Sequence, residues 1–358
     1  MKGSVLISRK AGLKLLRIAV ALGLLGLLWQ TVDGPAALDL LLRADLVWLL
    51  AAVMALTTQT FFSALRWRLT AGALGQVIAV RHAVREYYLS QIINQSFPGG
   101  VLGDAARALR ARHGAGLKRA GQAVIFERLA GQMALLAVTI SAITLVWLFP
   151  GRIVLPGWVL NGVAVALLAL GLAGGMIWAI SRGSSTVAQH MRDWTQDFAT
   201  AVLSRKVLPS QIMLSLGTTV MNLLAFALCA KATGTALPLT SIMIIVPLIL
   251  FTMLIPITVS GWGLREGAAA ALFPLIGATA TEGFAASLAF GLVFLASVLP
   301  ALPFVLLQPA GGAGPLAAQP SAQGNSAAGM IPKNAPSDQM PNQLTPSTSF
   351  SAPNSTSR

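Results

Sequence analysis

Apolar runs about twenty residues long alternate with short, charge-bearing polar stretches from Leu15 to Leu307. A bilayer-spanning helix needs roughly 20 mostly apolar residues. The pattern therefore predicts spans at residues 15–32, 46–65, 122–149, 159–180, 211–230, 241–259, 264–278 and 284–307. The seventh is short, and reads either as a crossing or as half of a hairpin. No separate soluble domain fits between the spans. The expected fold class is all-α, a polytopic transmembrane helix bundle of about eight hydrophobic segments that includes broken or re-entrant helices.

Two tracts interrupt this pattern. Residues 87–102 carry no charge, yet Ser90, Gln91, Asn94, Gln95 and Ser96 make them too polar to lie against lipid tails. Irregular backbone at membrane depth is tolerated only where protein buries it or it lines a wet cavity, because each unpaired peptide group costs several kcal/mol in hydrocarbon. The tract reads as re-entrant and implies a cavity; an amphipathic helix on the membrane surface is the alternative. The second tract, residues 255–266, has Pro256, Gly261 and Gly263 and then Arg265-Glu266 opening an Ala-rich helix. Two Gly/Pro-interrupted segments in corresponding halves point to a binding site near the bilayer midplane.

Composition agrees: 55% of the 358 residues are hydrophobic, 10% are charged and the mean hydropathy is +0.74, far from ordinary soluble proteins. The net charge of +14 would suit nucleic acid, but the basic residues sit in loops beside apolar spans and no nucleic-acid motif accompanies them, so no nucleic-acid partner is expected. Topology explains them instead. With the N-terminus inside, five basic residues fall in the leader, nine in Arg66 to Arg119 and four in Arg182 to Lys206; only Arg43, Arg152 and Lys231 fall outside. That bias is a positive-inside signal that puts the N-terminus in the cytoplasm; the expected location is a bacterial cytoplasmic (inner) membrane, multi-pass. Three regions follow: a basic leader at 1–14, entering an uncleaved first span; a transmembrane domain at 15–308; and a tail at 309–358. The tail has eight prolines and eight serines in fifty residues and is expected to be disordered. Its side of the membrane depends on whether the seventh segment crosses. Cys229, the single cysteine, lies in an apolar span and reads as packing.

The candidate chemistry sits at the breaks. Pro98 ends the preceding helix, and Gly99, Gly100 and Gly103 permit close backbone approach before a helix expected from Asp104 to Arg112. Its N-terminus favours an anion such as a lipid phosphate, with Arg107 and Arg110 adding charge. The bland reading is a turn into a surface helix with Asp104 as its cap. Glu127-Arg128 lies six to seven residues into the 122–149 run. That run is about 42 Å long against a hydrocarbon core of about 30 Å, so the pair either snorkels to the interface or faces the bundle interior. Arg265-Glu266 either joins the site or merely caps a helix. Arg66-Trp67-Arg68 reads as an interfacial anchor. Gln59 and Asn222 read as packing residues that hydrogen-bond across helices. His82, His113 and His190 are isolated, without metal-ligand spacing, and no phosphate-cradling loop or nucleophile elbow is present, so no metal, cofactor or ATP-driven pumping is expected.

Ala64-Leu65-Arg66-Trp67-Arg68, the run from Asn94 to Asp104 followed by Arg107, Glu127-Arg128-Leu129-Ala130-Gly131, and Ser260-Gly261-Trp262-Gly263-Leu264-Arg265-Glu266-Gly267 together resemble the lysylphosphatidylglycerol synthase transmembrane-region family, flippase-like integral membrane proteins. The resemblance spans about residues 10 to 308. It implies site positions at Pro98, Gly99, Gly103, Asp104, Arg107, Glu127, Arg128, Gly261, Gly263, Arg265 and Glu266, to which the break itself adds Gly100. The family includes the membrane half of the multiple peptide resistance factor, where the resemblance implies translocation of an aminoacylated phospholipid. The sequence lacks the soluble aminoacyl-transferase domain of such proteins, so lysylphosphatidylglycerol synthesis is not expected of it. The leading expectation is a lipid translocase whose charged groups line a polar cavity, with membrane lipids of anionic or polar headgroup as partners. A membrane-embedded transferase with Asp104 or Glu127 as base, and a non-catalytic partner of lipid or envelope biosynthesis enzymes, are the alternatives.

Overall fold

The computed structural model describes residues 2–96, 101–112, 115–148, 155–254, 258 and 261–301, and among them the chain is helical with no strand. In chain order the helices are α1 (Lys2–Thr31), α2 (Gly34–Leu42), α3 (Leu46–Ala73), α4 (Val80–Ser96), α5 (Leu102–Ala111) and α6 (Gly116–Leu148). They continue with α7 (Gly157–Ser181), α8 (Thr186–Phe198), α9 (Leu208–Ala232), α10 (Leu239–Phe251), α11 (Leu264–Leu272) and α12 (Ala280–Ala296). Pro98, Gly99, Gly100 and the 309–358 tail lie outside the described residues.

Among the described residues four helices are long and apolar enough to cross a bilayer: α3, α6, α7 and α9. The expected first span bends: its helical part from Ile18 to Thr31 meets α2 at 98°, and the pair together is apolar enough for one broken span. α2 falls where a loop was expected. Its start is nonetheless encoded, because Asp33 accepts the Ala36 backbone N–H at 3.1 Å and Pro35 sits in the first turn.

Among the described residues, the helices over the sixth to eighth expected segments, α10, α11 and α12, are each shorter than a crossing. α10 passes into a 3₁₀ turn at Thr252–Leu254. α11 ends after nine residues in a 3₁₀ turn at Phe273–Ile276, closed by left-handed Gly277 at φ 79°. The Thr279/Glu282 capping box then starts α12. α11 and α12 fold back on each other so closely that a Cβ on Gly283 would stand 2.4 Å from the Ala269 carbonyl oxygen. The short seventh segment is thus one arm of a hairpin.

In lipid, helices associate through close packing and polar contacts rather than through expulsion of water. The α3–α9 pair fits that rule. Buried Ala52 and Ala55 on α3 face a core shared with Ala225, Phe226 and Ala230 of α9, and Gly217 lies against the Phe62 ring. Leu56, Ile245, Ile249, Phe273 and Phe290 complete this core. A second core forms around Trp67, Tyr87 and Phe126. Amphipathic α8 covers it, with the Trp194 and Phe198 rings 4.9 and 5.2 Å from that of Phe126. α7 buries none of its apolar window, as suits a helix bathed in lipid.

Candidate functional site

Gln59, Ser63, Arg66 and Thr70 recur on α3 at intervals of four, three and four, so they share one helix face; Gln211, Ser215, Thr218 and Asn222 repeat the spacing on α9. The two polar faces meet where Arg66 Nη1 donates to Thr218 Oγ1 at 3.0 Å. Arg66 is 5% exposed, so it is no interfacial anchor. A buried guanidinium needs a counter-charge. Glu127 of α6 supplies it, its Oε1 accepting from Arg66 Nε at 3.1 Å and Nη2 at 2.6 Å. Glu127 is fully buried and faces the bundle interior.

α4 and α5 bring the remaining charges. Gly103 packs directly on α4, where a Cβ would stand 1.9 Å from the Ser90 carbonyl oxygen, and its N–H donates to Asn94 Oδ1 at 2.7 Å. That close approach turns Asp104 and Arg107, one helical turn apart, into the bundle. Asp104 accepts from Ser90 Oγ at 3.1 Å, from Asn94 Nδ2 at 3.4 Å and from Arg107 Nη2 at 3.0 Å. Arg107 Nη2 also reaches Glu127 Oε2 at 3.3 Å, and the guanidinium lies between the Trp67 and Tyr87 rings, 4.7 and 4.5 Å from their centroids. Arg110 pairs with buried Glu86 and pins α5 to α4 a second time. The anion at the start of α5 is therefore the chain's own Asp104.

Arg128 follows Glu127 by about 100° around α6 and so points elsewhere. Its Nη2 lies 2.5 Å from Asp104 Oδ2, yet 44% of the side chain is exposed. Three guanidinium groups thus meet two carboxylates, leaving one formal positive charge. That charge borders a cavity of about 290 Å³. Arg66 and Arg128 line it together with the amides of Gln59, Gln91, Asn94, Gln95, Gln132 and Asn222, over an apolar floor that includes Phe290 and Phe294. No carboxylate is among the described lining residues; Asp104 and Glu127 stand behind the arginines.

The second break builds a separate cluster. Gly261 and Gly263 adopt φ of 80° and 86°, which favours glycine. Glu266 folds back to accept the Gly263 N–H at 2.7 Å and pairs with Arg265, whose Nε donates to Ser287 Oγ of α12 at 3.0 Å. All three side chains are buried. Arg265 also faces the Phe290 ring at 5.3 Å, so that ring stands between the cluster and the cavity it lines. The expectation that Asp104/Arg107, Glu127/Arg128 and Arg265/Glu266 all line one cavity gives way to a layered arrangement. Among the described residues Arg128 alone of these six lines the wall; Asp104 and Glu127 hold the arginines, buried Arg107 bridges the two carboxylates, and Arg265-Glu266 holds the α11–α12 hairpin. Gln59 and Asn222, expected in packing, are on the wall.

Gly131 makes room for this network one turn beyond Glu127, since a Cβ there would stand 2.7 Å from Arg66 Nη2. Gly131→Val is expected to push Arg66 off Glu127 and to lower stability by about 1–3 kcal/mol. Unfolding of the purified protein in detergent measures it.

Comparison with curated proteins and with solved structures finds no match for the chain. The family model described as lysylphosphatidylglycerol synthase TM region matches residues 14–301, which contain every element of both clusters. With four helices of crossing length and this match over most of its sequence, the chain is a multi-pass membrane protein that belongs to the lysylphosphatidylglycerol synthase TM region family.

Proposed function

We propose that the protein moves a lipid with an anionic headgroup between the leaflets of the bacterial cytoplasmic membrane, with its N-terminus in the cytoplasm, the cavity holding the headgroup while the acyl chains stay in lipid. The observation that carries this reading is the lining: two guanidinium groups and six amides, with no carboxylate among the described wall residues. A phosphate headgroup loses its hydration on entering hydrocarbon, at a cost of many kcal/mol for an unpaired charge. Amide dipoles and a partly exposed arginine replace part of that hydration. Arg128 is the contact group in this scheme. Asp104 positions it and yields it to an incoming phosphate, while Glu127 holds Arg66 and Arg107 in place. Gly103 lets α5 approach α4, and Gly261, Gly263, Arg265 and Glu266 fix the hairpin that carries Phe290 at the cavity floor.

The test is transport in proteoliposomes with fluorescent phosphatidylglycerol and phosphatidylcholine. Protein-dependent movement of the anionic lipid is expected, falling about tenfold or more in Arg128→Gln, the worth of one charge-assisted hydrogen bond. Equal rates for wild type and Arg128→Gln would reject the role of Arg128. No protein-dependent movement of either lipid would reject translocation itself.

A further inference from the structure

Arg66 and Arg68 are two residues apart on α3 and therefore point to nearly opposite sides of the helix. Arg66 enters the cavity described above; Arg68 stands on the rim of a different hollow, of about 490 Å³, where α3 ends and α9 begins. Its walls are largely apolar and include Leu65, Leu69, Val77 and Leu214, and Gln76 also lines it. Val77 is 85% exposed, so the hollow opens outward.

Two polar groups there lack what their chemistry requires. The Gln76 side chain is buried at 4% exposure, and neither its Nε2 nor its Oε1 has a hydrogen-bond partner. Leaving a buried polar group unpaired costs about 1–3 kcal/mol, so this amide is matched to a partner that arrives from outside the chain. Arg68 is steered to the rim by its Nε, which donates to the Ile78 carbonyl oxygen at 2.8 Å. Its Nη1 and Nη2 make no hydrogen bond or ion pair with the described residues. The surrounding field has the same sign: exposed Arg205 and Lys206 come just before α9, whose positive dipole end has no side-chain cap. No carboxylate is among the described lining residues.

We infer that this hollow is a second lipid site, separate from the transport cavity, which holds a resident anionic phospholipid. The phosphate sits on the free edge of the Arg68 guanidinium. The Gln76 amide pairs with polar atoms of the glycerol-ester region. One acyl chain packs along Leu65, Leu69, Val77 and Leu214. An apolar trough with a basic rim at a helix end suits a lipid, which offers both parts in one molecule; a free phosphate would leave the trough unfilled.

The experiment is photo-crosslinking of the full-length protein in nanodiscs, using phosphatidylglycerol with a photoreactive group on one acyl chain and mapping adducts by mass spectrometry. Adducts are expected in residues 65–78 and 207–214. Unlabelled phosphatidylglycerol should displace them about tenfold more effectively than phosphatidylcholine, and inorganic phosphate should not displace them. Arg68→Gln should abolish that preference. Gln76→Leu removes an unpaired amide and should fold at least as well as wild type, yet capture less lipid. Arg128→Gln should leave these adducts unchanged, which keeps this site distinct from the transport cavity. Absence of adducts at these segments, equal displacement by the two lipids, or adducts unaffected by both Arg68→Gln and Gln76→Leu would overturn the inference.

Discussion

Glu127→Gln is expected to destabilise the bundle by about 3–5 kcal/mol, the cost of removing one partner from a buried ion pair. The carboxylate accepts from Arg66 at 2.6 and 3.1 Å, from Arg107 at 3.3 Å and from Tyr87 OH at 3.3 Å. It is the counter-charge that Arg66 and Arg107 share, and both guanidinium groups are buried. A neutral amide of the same shape leaves Arg66 without a counter-charge and Arg107 with Asp104 alone, which it shares with Arg128. Thermal unfolding in detergent, followed by tryptophan fluorescence, reads the loss. The double variant Glu127→Gln/Arg107→Met should recover much of it, because groups in one network do not act additively. Unchanged unfolding in Glu127→Gln would mean that the ion pairs do not hold α3, α5 and α6 together.

Gly103→Val is expected to part α4 from α5, at a cost on the order of 3 kcal/mol. Even the first added carbon would stand 1.9 Å from the Ser90 carbonyl oxygen and 2.8 Å from Asn94 Oδ1, and backbone cannot swing aside as a long side chain can. The shift would break the Gly103–Asn94 hydrogen bond and carry Asp104 away from Arg128. Stability and transport should therefore fall together. A cysteine pair placed across α4 and α5 should crosslink efficiently in the parent protein and poorly beside Gly103→Val. Ser90→Ala is the control, since it keeps the helix contact and removes one 3.1 Å hydrogen bond to Asp104.

The helices of crossing length were legible in the sequence because length and unbroken apolarity are one-dimensional properties: α3, α6, α7 and α9 lie over four expected spans. Asp104, Arg107, Glu127 and Arg128 were also legible, as charges at or beside a break, and the structure brings them into one network. Arg66 was hidden by its neighbours, since Arg-Trp-Arg at a span end looks like an anchor. The signal that could have found it is phase. Gln59, Ser63, Arg66 and Thr70 mark a polar face on α3, and α9 carries the matching one, which makes Asn222 a wall residue. Arg265-Glu266 could not be resolved in the same way. Whether such a pair faces a site or caps a helix depends on Ser287 of α12, more than twenty residues on.

A cavity that takes a lipid headgroup beside Arg128 must be wet and must accept an anion. Cys229 is the single cysteine and is buried, so Cys229→Ser gives a clean background for thiol labelling. In it, Asn222→Cys on the cavity wall should react readily with a membrane-impermeant, hydrophilic thiol reagent, and glycerol phosphate should slow that reaction while glycerol does not. An Asn222→Cys thiol that resists the reagent, or that reacts at the same rate with and without glycerol phosphate, would contradict the account.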